Sequence, residues 1–371
     1  MMKWPPIHVA RPNLPPLAHV LPFLEEIWDS RILSNNGPLL NRFETALAEY
    51  LGVEHISMVS NGTLAIVVAL KQAGITAGEV ITTPFSFVAT AHAIKLAGAT
   101  PVFADIDPAT LNLDPARVEA AITPQTRAIL PVHVFGTPCD IEGLEDVATR
   151  YGLKIIYDAA HSFGVQRDGQ SILRHGDMSV LSFHATKVFN TFEGGAVVVP
   201  DHATKLAIDQ LANFGISDAL GVNDLGINAK MNEFSAAIGL AQLGEIEAVL
   251  DARAVIAQRY QDHLGDVQGL RCVSPTGALG HNHYAFPILL GPDCHVDREA
   301  LFARLSAENI FARRYFYPLI SSFAPYSTLP SADPALLPVA SRTADQVLCL
   351  PMFFDLDEVS QNRIIEQVLV Q

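Results

Sequence analysis

MSVLSFHATKVFNTFEGGAVVVP, residues 178–200, holds two strand-forming runs, MSVLSFH (178–184) and GGAVVVP (194–200). Only about ten residues separate them, too few for a helical crossover, so the two strands are predicted to pair antiparallel. Upstream the pattern is different. ISMV (56–59) precedes a helix from Gly62, EVITT (79–83) precedes one near Ala89, and TPVFA (100–104) follows. AILPVHV (128–134) leads to a helix with apolar Ile141, Leu144, Val147, Ala148 and Tyr151, and then to KIIYD (154–158). Short apolar runs alternating with amphipathic helices predict an α/β fold with a mainly parallel central sheet. A stretch with few helix breakers, from Met231 to about Leu264, predicts one long helix leading into a smaller C-terminal α/β domain. The division expected is 1–244, an N-terminal segment with the large domain, and 245–371, the small domain.

Composition narrows the function classes. The 371 residues are 49% hydrophobic and 17% charged, a globular composition. With 24 Lys plus Arg against 39 Asp plus Glu, the formal charge is −15, which argues against general affinity for nucleic acid or anionic membrane. Anionic ligands then need a local basic or dipolar pocket. Cys139, Cys272, Cys294 and Cys349 lie far apart with no CxxC pair, which points away from a zinc site or disulfide framework and toward a reducing cytoplasm. Prolines break the N-terminal MMKWPPIHVARPNLPP where a signal peptide needs an apolar run. No stretch approaches 18 uninterrupted apolar residues, so a soluble protein without a membrane span is expected.

Lys187 leaves a strand end and the Gly194–Gly195 pair soon returns the chain to the sheet, so the lysine is expected at a sheet edge. A loop lysine alone is usually a solvated charge; its partners decide. Asp158 ends the apolar strand KIIYD, where ligands of α/β sheets bind; a helix N-cap is the plainer alternative. Pyridoxal phosphate needs such a carboxylate beside its pyridine nitrogen, because a protonated ring withdraws electrons from a substrate carbanion. In SNGT, Gly62 and Thr63 open a helix whose free N–H groups suit a phosphate, with Ser182 as a further donor, although capping alone also explains these residues. Phe87, in PFSFVATAHAI, is the candidate aromatic face for the ring, with Phe85 as fallback; an ordinary core phenylalanine is the alternative.

Jointly, these segments resemble the DegT/StrS sugar aminotransferases, a fold-type I pyridoxal-phosphate family. The resemblance begins at SNNGPLLNRFETALAEYLGV (34–53) and runs through SNGT, PFSFVATAHAI, YDAAHSFG, SFHATK and EGGA to GINAKMNEFSAAIGLAQL (226–243) and VLCLPMF (347–353). It implies that Lys187 joins the cofactor covalently and shuttles the proton, that Asp158 binds the pyridine nitrogen and that Phe87 stacks on the ring. Gly62, Thr63 and Ser182 would hold the phosphate, His161 would sit near the ring oxygen or in its hydrogen-bond shell, and Asn228 would reach across from a second subunit of a homodimer. One relative of this family carries histidine at the lysine position and dehydrates its substrate, so Lys187 favours transamination. Lys230 departs from the arginine common in the family, which keeps the cation and loses the bidentate fork.

The resemblance of NIFARRYFYPLISSF (309–323) and KMNEF is strongest to members acting at C4, or on an already aminated 6-deoxyhexose, linked to dTDP, with L-glutamate as donor. Arg313, Arg314, Tyr315 and Tyr317 are candidates for the diphosphate or hexose, with a solvated arginine pair and core tyrosines as the alternative. Asn35 and Asn36 are candidates for the sugar cavity, or a plain turn. His133 and His283 are expected to be structural. A pyridoxal-phosphate sugar dehydratase or lyase is the rival enzyme, and a non-catalytic cofactor-binding sensor the rival outside enzymology.

Overall fold

The computed structural model describes residues 4–217, 221–273 and 280–370. Its centre is a seven-stranded sheet built from β1 (His55–Val59), β2 (Glu79–Thr82), β3 (Thr100–Phe103), β4 (Thr126–Leu130), β5 (Lys154–Asp158), β6 (Met178–Ser182) and β7 (Gly195–Val199), in the order β1-β7-β6-β5-β4-β2-β3. Strands β3, β2, β4, β5 and β6 run parallel. β7 is antiparallel to both β6 and β1, as the short 178–200 connection predicts. Strands buried on both faces need continuous apolar runs rather than alternation; β5 and β7 are buried along nearly their whole length.

Helices cover both faces. α1 (Leu17–Ser30) and α2 (Pro38–Leu51) pack with β1 and β7 on one side. On the other lies α3 (Gly62–Gln72), buried from Ala65 to Leu70 beside α4 (Ala89–Ala97). α5 (Ile141–Tyr151) starts where Asp140 accepts the Gly143 N–H and stops at Gly152, whose φ of 65° is the left-handed end that glycine favours. α6 (His202–Ala212) follows β7.

The single helix expected from Met231 to Leu264 is two, α7 (Glu233–Leu243) and α8 (Ile246–Leu264), interrupted at Gly244 and Glu245. Glycine weakens a helix interior, and the two pieces serve different cores. α7 is buried with α2, whereas α8 begins beside it at Ile246 and Val249 and ends, through Ile256, Tyr260 and Leu264, in the core of a second, three-stranded sheet. That sheet is antiparallel: β8 (Leu270–Cys272), β9 (Phe286–Leu290) and β10 (Val347–Leu350), flanked by α9 (Arg298–Ala307) and α10 (Glu358–Leu369). The chain's start joins this smaller core, since Ile7 pairs in parallel with Ile310.

Candidate active site

β5 delivers Asp158 to the carboxyl end of the sheet. Its main chain is held by Pro131 and His133 from the neighbouring strand's extension. Thr90 Oγ1, on the first turn of α4, donates to Oδ2 at 2.9 Å, and the Ala160 N–H donates to Oδ1 at 3.2 Å. Ser86 in turn contacts Thr90 at 3.2 Å. Burial raises the Asp158 pKa, opposed by those two hydrogen bonds and by the charge of Lys187. A turn, not a helix, follows Asp158, so the helix-cap alternative does not apply.

The loop after β6 is anchored by apolar side chains on either side of Lys187. Phe183 and Phe189 are fully buried, and Phe189 stacks on Phe163 at 4.3 Å. Between them the Lys187 N–H closes a turn on His184 O, and Nζ lies 4.8 Å from the centre of the Tyr284 ring. Desolvation pulls the amine down to about 8, against the raising effect of Asp158. Among the described residues no carboxylate lies within ion-pair distance of it.

The N-terminus of α3 supplies an anion cradle. Asn61 caps the helix by accepting the Leu64 N–H at 2.9 Å. Among the described residues the N–H groups of Gly62 and Thr63 donate to none, and they point with the positive end of the helix dipole. A Cβ on Gly62 would stand 2.8 Å from Ser182 Cβ, so only glycine lets the helix start approach the Ser182 hydroxyl this closely. Capping therefore falls to Asn61, and the N–H groups of the two residues after it are left available to an anion.

Phe87 is 57% exposed on the cavity wall, whereas Phe85 is fully buried and edge-on to Phe135 and Phe316, a core residue. His161 lies flat against Tyr284, ring centres 4.1 Å apart, and burial drives its pKa well below the usual imidazole range. Its Nδ1 accepts the Phe135 N–H at 3.3 Å, which leaves the proton of the neutral ring on Nε2.

One cavity of about 270 Å³ is lined by Gly62, Thr63, Phe87, Asp158, His161, Ser182 and Lys187, and also by Arg313. A phosphate cradle, a carboxylate for a ring nitrogen, an aromatic face and an amine of lowered pKa thus converge, and this donor set fits pyridoxal phosphate. The other candidates lie elsewhere in the single chain. Tyr317 is outside the cavity wall, 4.3 Å beneath the Arg298 guanidinium, and Arg314 pairs with Glu299 at 2.8 Å; Tyr315 and Phe316 take the cavity positions. Asn228 is exposed and bridges to Asn213, and Asn35 is exposed with φ 62°. His133 is buried against Tyr157 at 4.7 Å, and His283 offers its carbonyl to Arg253. Thr90, His184, Glu193 and Tyr284 also line the cavity and were not singled out in the sequence. A Ser86–Thr90 pair four residues apart at a helix start was the available signal for Thr90; Tyr284 had none.

A family model described as the DegT/DnrJ/EryC1/StrS aminotransferase family matches residues 19–369. A dTDP-4-amino-4,6-dideoxy-D-glucose transaminase of Shigella dysenteriae is 51% identical over 351 residues, 95% of each chain. A protein of the same name from Escherichia coli is 46% identical over 355 residues, again 95% of each chain. The crystal structure of DesI in the presence of its TDP-sugar product superposes with a TM-score of 0.92 at 38% identity, covering 98% of this chain and 92% of that one.

Proposed function

Because the chain belongs to the DegT/DnrJ/EryC1/StrS aminotransferase family and is a pyridoxal-phosphate enzyme, we propose that it aminates C4 of a dTDP-linked 4-keto-6-deoxyhexose, with L-glutamate as donor. The observation that carries this reading is the placement of Lys187 in one cavity with Asp158 and the Gly62–Thr63–Ser182 cradle. The names and TDP-sugar product of the similar proteins support the sugar and the nucleotide.

Bound here, pyridoxal phosphate supplies an electron sink for the carbanion at the reacting carbon. Gly62, Thr63 and Ser182 would hold its phosphate, Phe87 would cover one ring face, and Asp158 would keep a proton on the pyridine nitrogen. The Nε2–H of His161 would be free to donate to the ring oxygen or its hydrogen-bond shell. Lys187 takes the proton from Cα of the donor and returns one to C4 of the sugar. An amine near 8 exists partly neutral at physiological pH and serves in both directions. Arg313, on the cavity wall without a carboxylate partner among the described residues, is placed for the sugar diphosphate.

Asn228 lies outside the cavity of its own chain, which agrees with a homodimer in which it serves the partner's site. Exposed Phe214, Ile216, Val222 and Leu225 precede it and offer an apolar surface for that contact. Asn35 and Tyr317, exposed and outside the cavity wall of their own chain, keep their proposed role in sugar binding. The domain division we propose remains 1–244 and 245–371, with Ile7–His8 docked on the smaller part. All four cysteines are free, which supports a reducing cytoplasm. Among the described residues no helix is long and apolar enough to cross a membrane.

Incubation with dTDP-, UDP- and GDP-linked keto-sugars plus glutamate, followed by mass spectrometry, tests the proposal. The expected products are an aminated dTDP-sugar and 2-oxoglutarate, formed with ping-pong kinetics. A dehydrated sugar without 2-oxoglutarate would overturn it in favour of a lyase, and glutamate binding without turnover would leave a sensor.

A further inference from the structure

Arg253, on α8, is buried, yet its guanidinium donates only to main-chain carbonyls. Nε reaches Asn282 O at 3.3 Å and His283 O at 3.1 Å; Nη2 reaches His283 O and Tyr284 O at 2.8 Å each, and Met352 O at 3.4 Å. Among the described residues no carboxylate pairs with it. A buried cation without a counter-ion is costly, and carbonyl dipoles offset that cost only when they are fixed around it. Arg253 thus sets the backbone of 282–284, a segment outside any strand or helix.

A second clamp holds the same segment from the large sheet. The buried Asn282 donates Nδ2 to His161 O at 2.8 Å and to Phe163 O at 2.9 Å, and its Oδ1 accepts the Tyr284 N–H at 3.0 Å. Tyr284 therefore cannot move without breaking bonds to both bodies of the molecule. Its ring stacks on His161 with centres 4.1 Å apart and lies 4.8 Å from the Lys187 amine, and across the cavity the Arg313 guanidinium sits 4.7 Å over the ring of Tyr315.

We propose that Tyr284 and Arg253 are positioning residues for Lys187: the guanidinium fixes the 282–284 backbone, and the tyrosine ring face holds the lysine amine over the cavity and favours its protonated form. A cation over an aromatic face is attracted by the ring quadrupole, more strongly where water is excluded. The other titratable and charged groups around this amine are Asp158 and His161 at the end of β5, His184 and Glu193 on the lysine's own loop, and Tyr315 and Arg313 across the cavity. Asp158 also favours the protonated amine, so it must stay unchanged in every variant. The inference rests on Lys187 being the amine that joins the cofactor.

The test uses holoenzymes of Tyr284→Phe, Tyr284→Leu, Arg253→Met and Arg253→Lys. Visible absorbance against pH gives the protonation midpoint of the lysine–cofactor linkage, measured beside kcat and KM. Tyr284→Leu is expected to lower the midpoint by about one unit, a tenfold loss of proton affinity, and to lower kcat more than it raises KM. Tyr284→Phe keeps the ring face and should stay within about 0.3 unit of the parent. Arg253→Met should shift in the same direction as Tyr284→Leu, with partial rescue by lysine. An unmoved midpoint in Tyr284→Leu, or equal shifts in both Tyr284 variants, overturns the proposal, and this pair decides alone if the Arg253 variants do not fold. Borohydride reduction and peptide mapping of the same samples separate the two failures. A label on another residue overturns the role of Lys187 itself; a label on Lys187 with an unmoved midpoint overturns only the positioning role.

Discussion

Two lysines of this chain, Lys205 and Lys187, are both withdrawn from water, and they behave oppositely. Lys205, on α6, lies 2.9 Å from Glu44 and 2.8 Å from Asp209. Burial pulls its pKa down, but the hydrogen bonds and charges of the two acids outweigh burial and leave it raised. Lys187, also withdrawn from water, has no ion-pair partner among the described residues, and the charge of Asp158 does not outweigh desolvation, so it falls to about 8. The first amine is locked as a cation and ties α6 to α2; the second is left without an ion pair, the condition the proposed role of Lys187 requires.

Removing each group should expose that contrast. Lys187→Ala has the largest expected effect, a loss of about 10³-fold or more in single-turnover transamination, with borohydride no longer labelling the peptide. Asp158→Asn should lower kcat about 10²-fold while raising the Tm of the cofactor-free protein at neutral pH. The folded pKa of Asp158 is raised, so the cost of holding it ionised is fully present above that pKa, shrinks as pH falls through it, and is gone below the unfolded value near 3.8. Scanning calorimetry should therefore find the gain shrinking with acidification; a gain independent of pH would contradict burial as the cause. Lys205→Met should do the reverse, costing about 2 kcal/mol in denaturant unfolding because Glu44 and Asp209 lose their cation, with kcat changed less than about twofold. Thr90→Val removes one hydrogen bond from the Asp158 carboxylate and should lower kcat about tenfold, with recovery in Thr90→Ser. The smallest effect is a difference in titration: in cofactor-free protein, an amine-selective reagent should modify Lys187 half-maximally near pH 8 and Lys205 only at higher pH.

Much of the large sheet was legible because its strands are short apolar runs separated by helices of clear period, and KIIYD coincides with β5 residue for residue. The antiparallel β6–β7 pair followed from loop length alone. The helix expected across Gly244 failed because both halves are locally good helix formers, and only the need to serve two cores places the break. In the site, Phe87 was preferred over Phe85 by its place in the motif, and the packed core accounts for Phe85, which is fully buried while Phe87 lies exposed on the cavity wall. Of the neighbouring Arg313 and Arg314, only tertiary structure shows that Arg314 pairs with Glu299 on α9 while Arg313 lines the cavity.

The order of motifs along the chain was sufficient to single out Lys187, Asp158 and the Gly62–Thr63 helix start as candidates, which line one cavity, because each was picked out by residue type and by a neighbouring strand or helix end, both local properties. Tertiary structure alone decided which groups desolvate Lys187, that Thr90 supports Asp158, and that Tyr284, held by an arginine 31 positions earlier, lies beneath the amine. Desolvation and long-range hydrogen bonding are sums over neighbours brought together by folding, and no spacing in the chain encodes them.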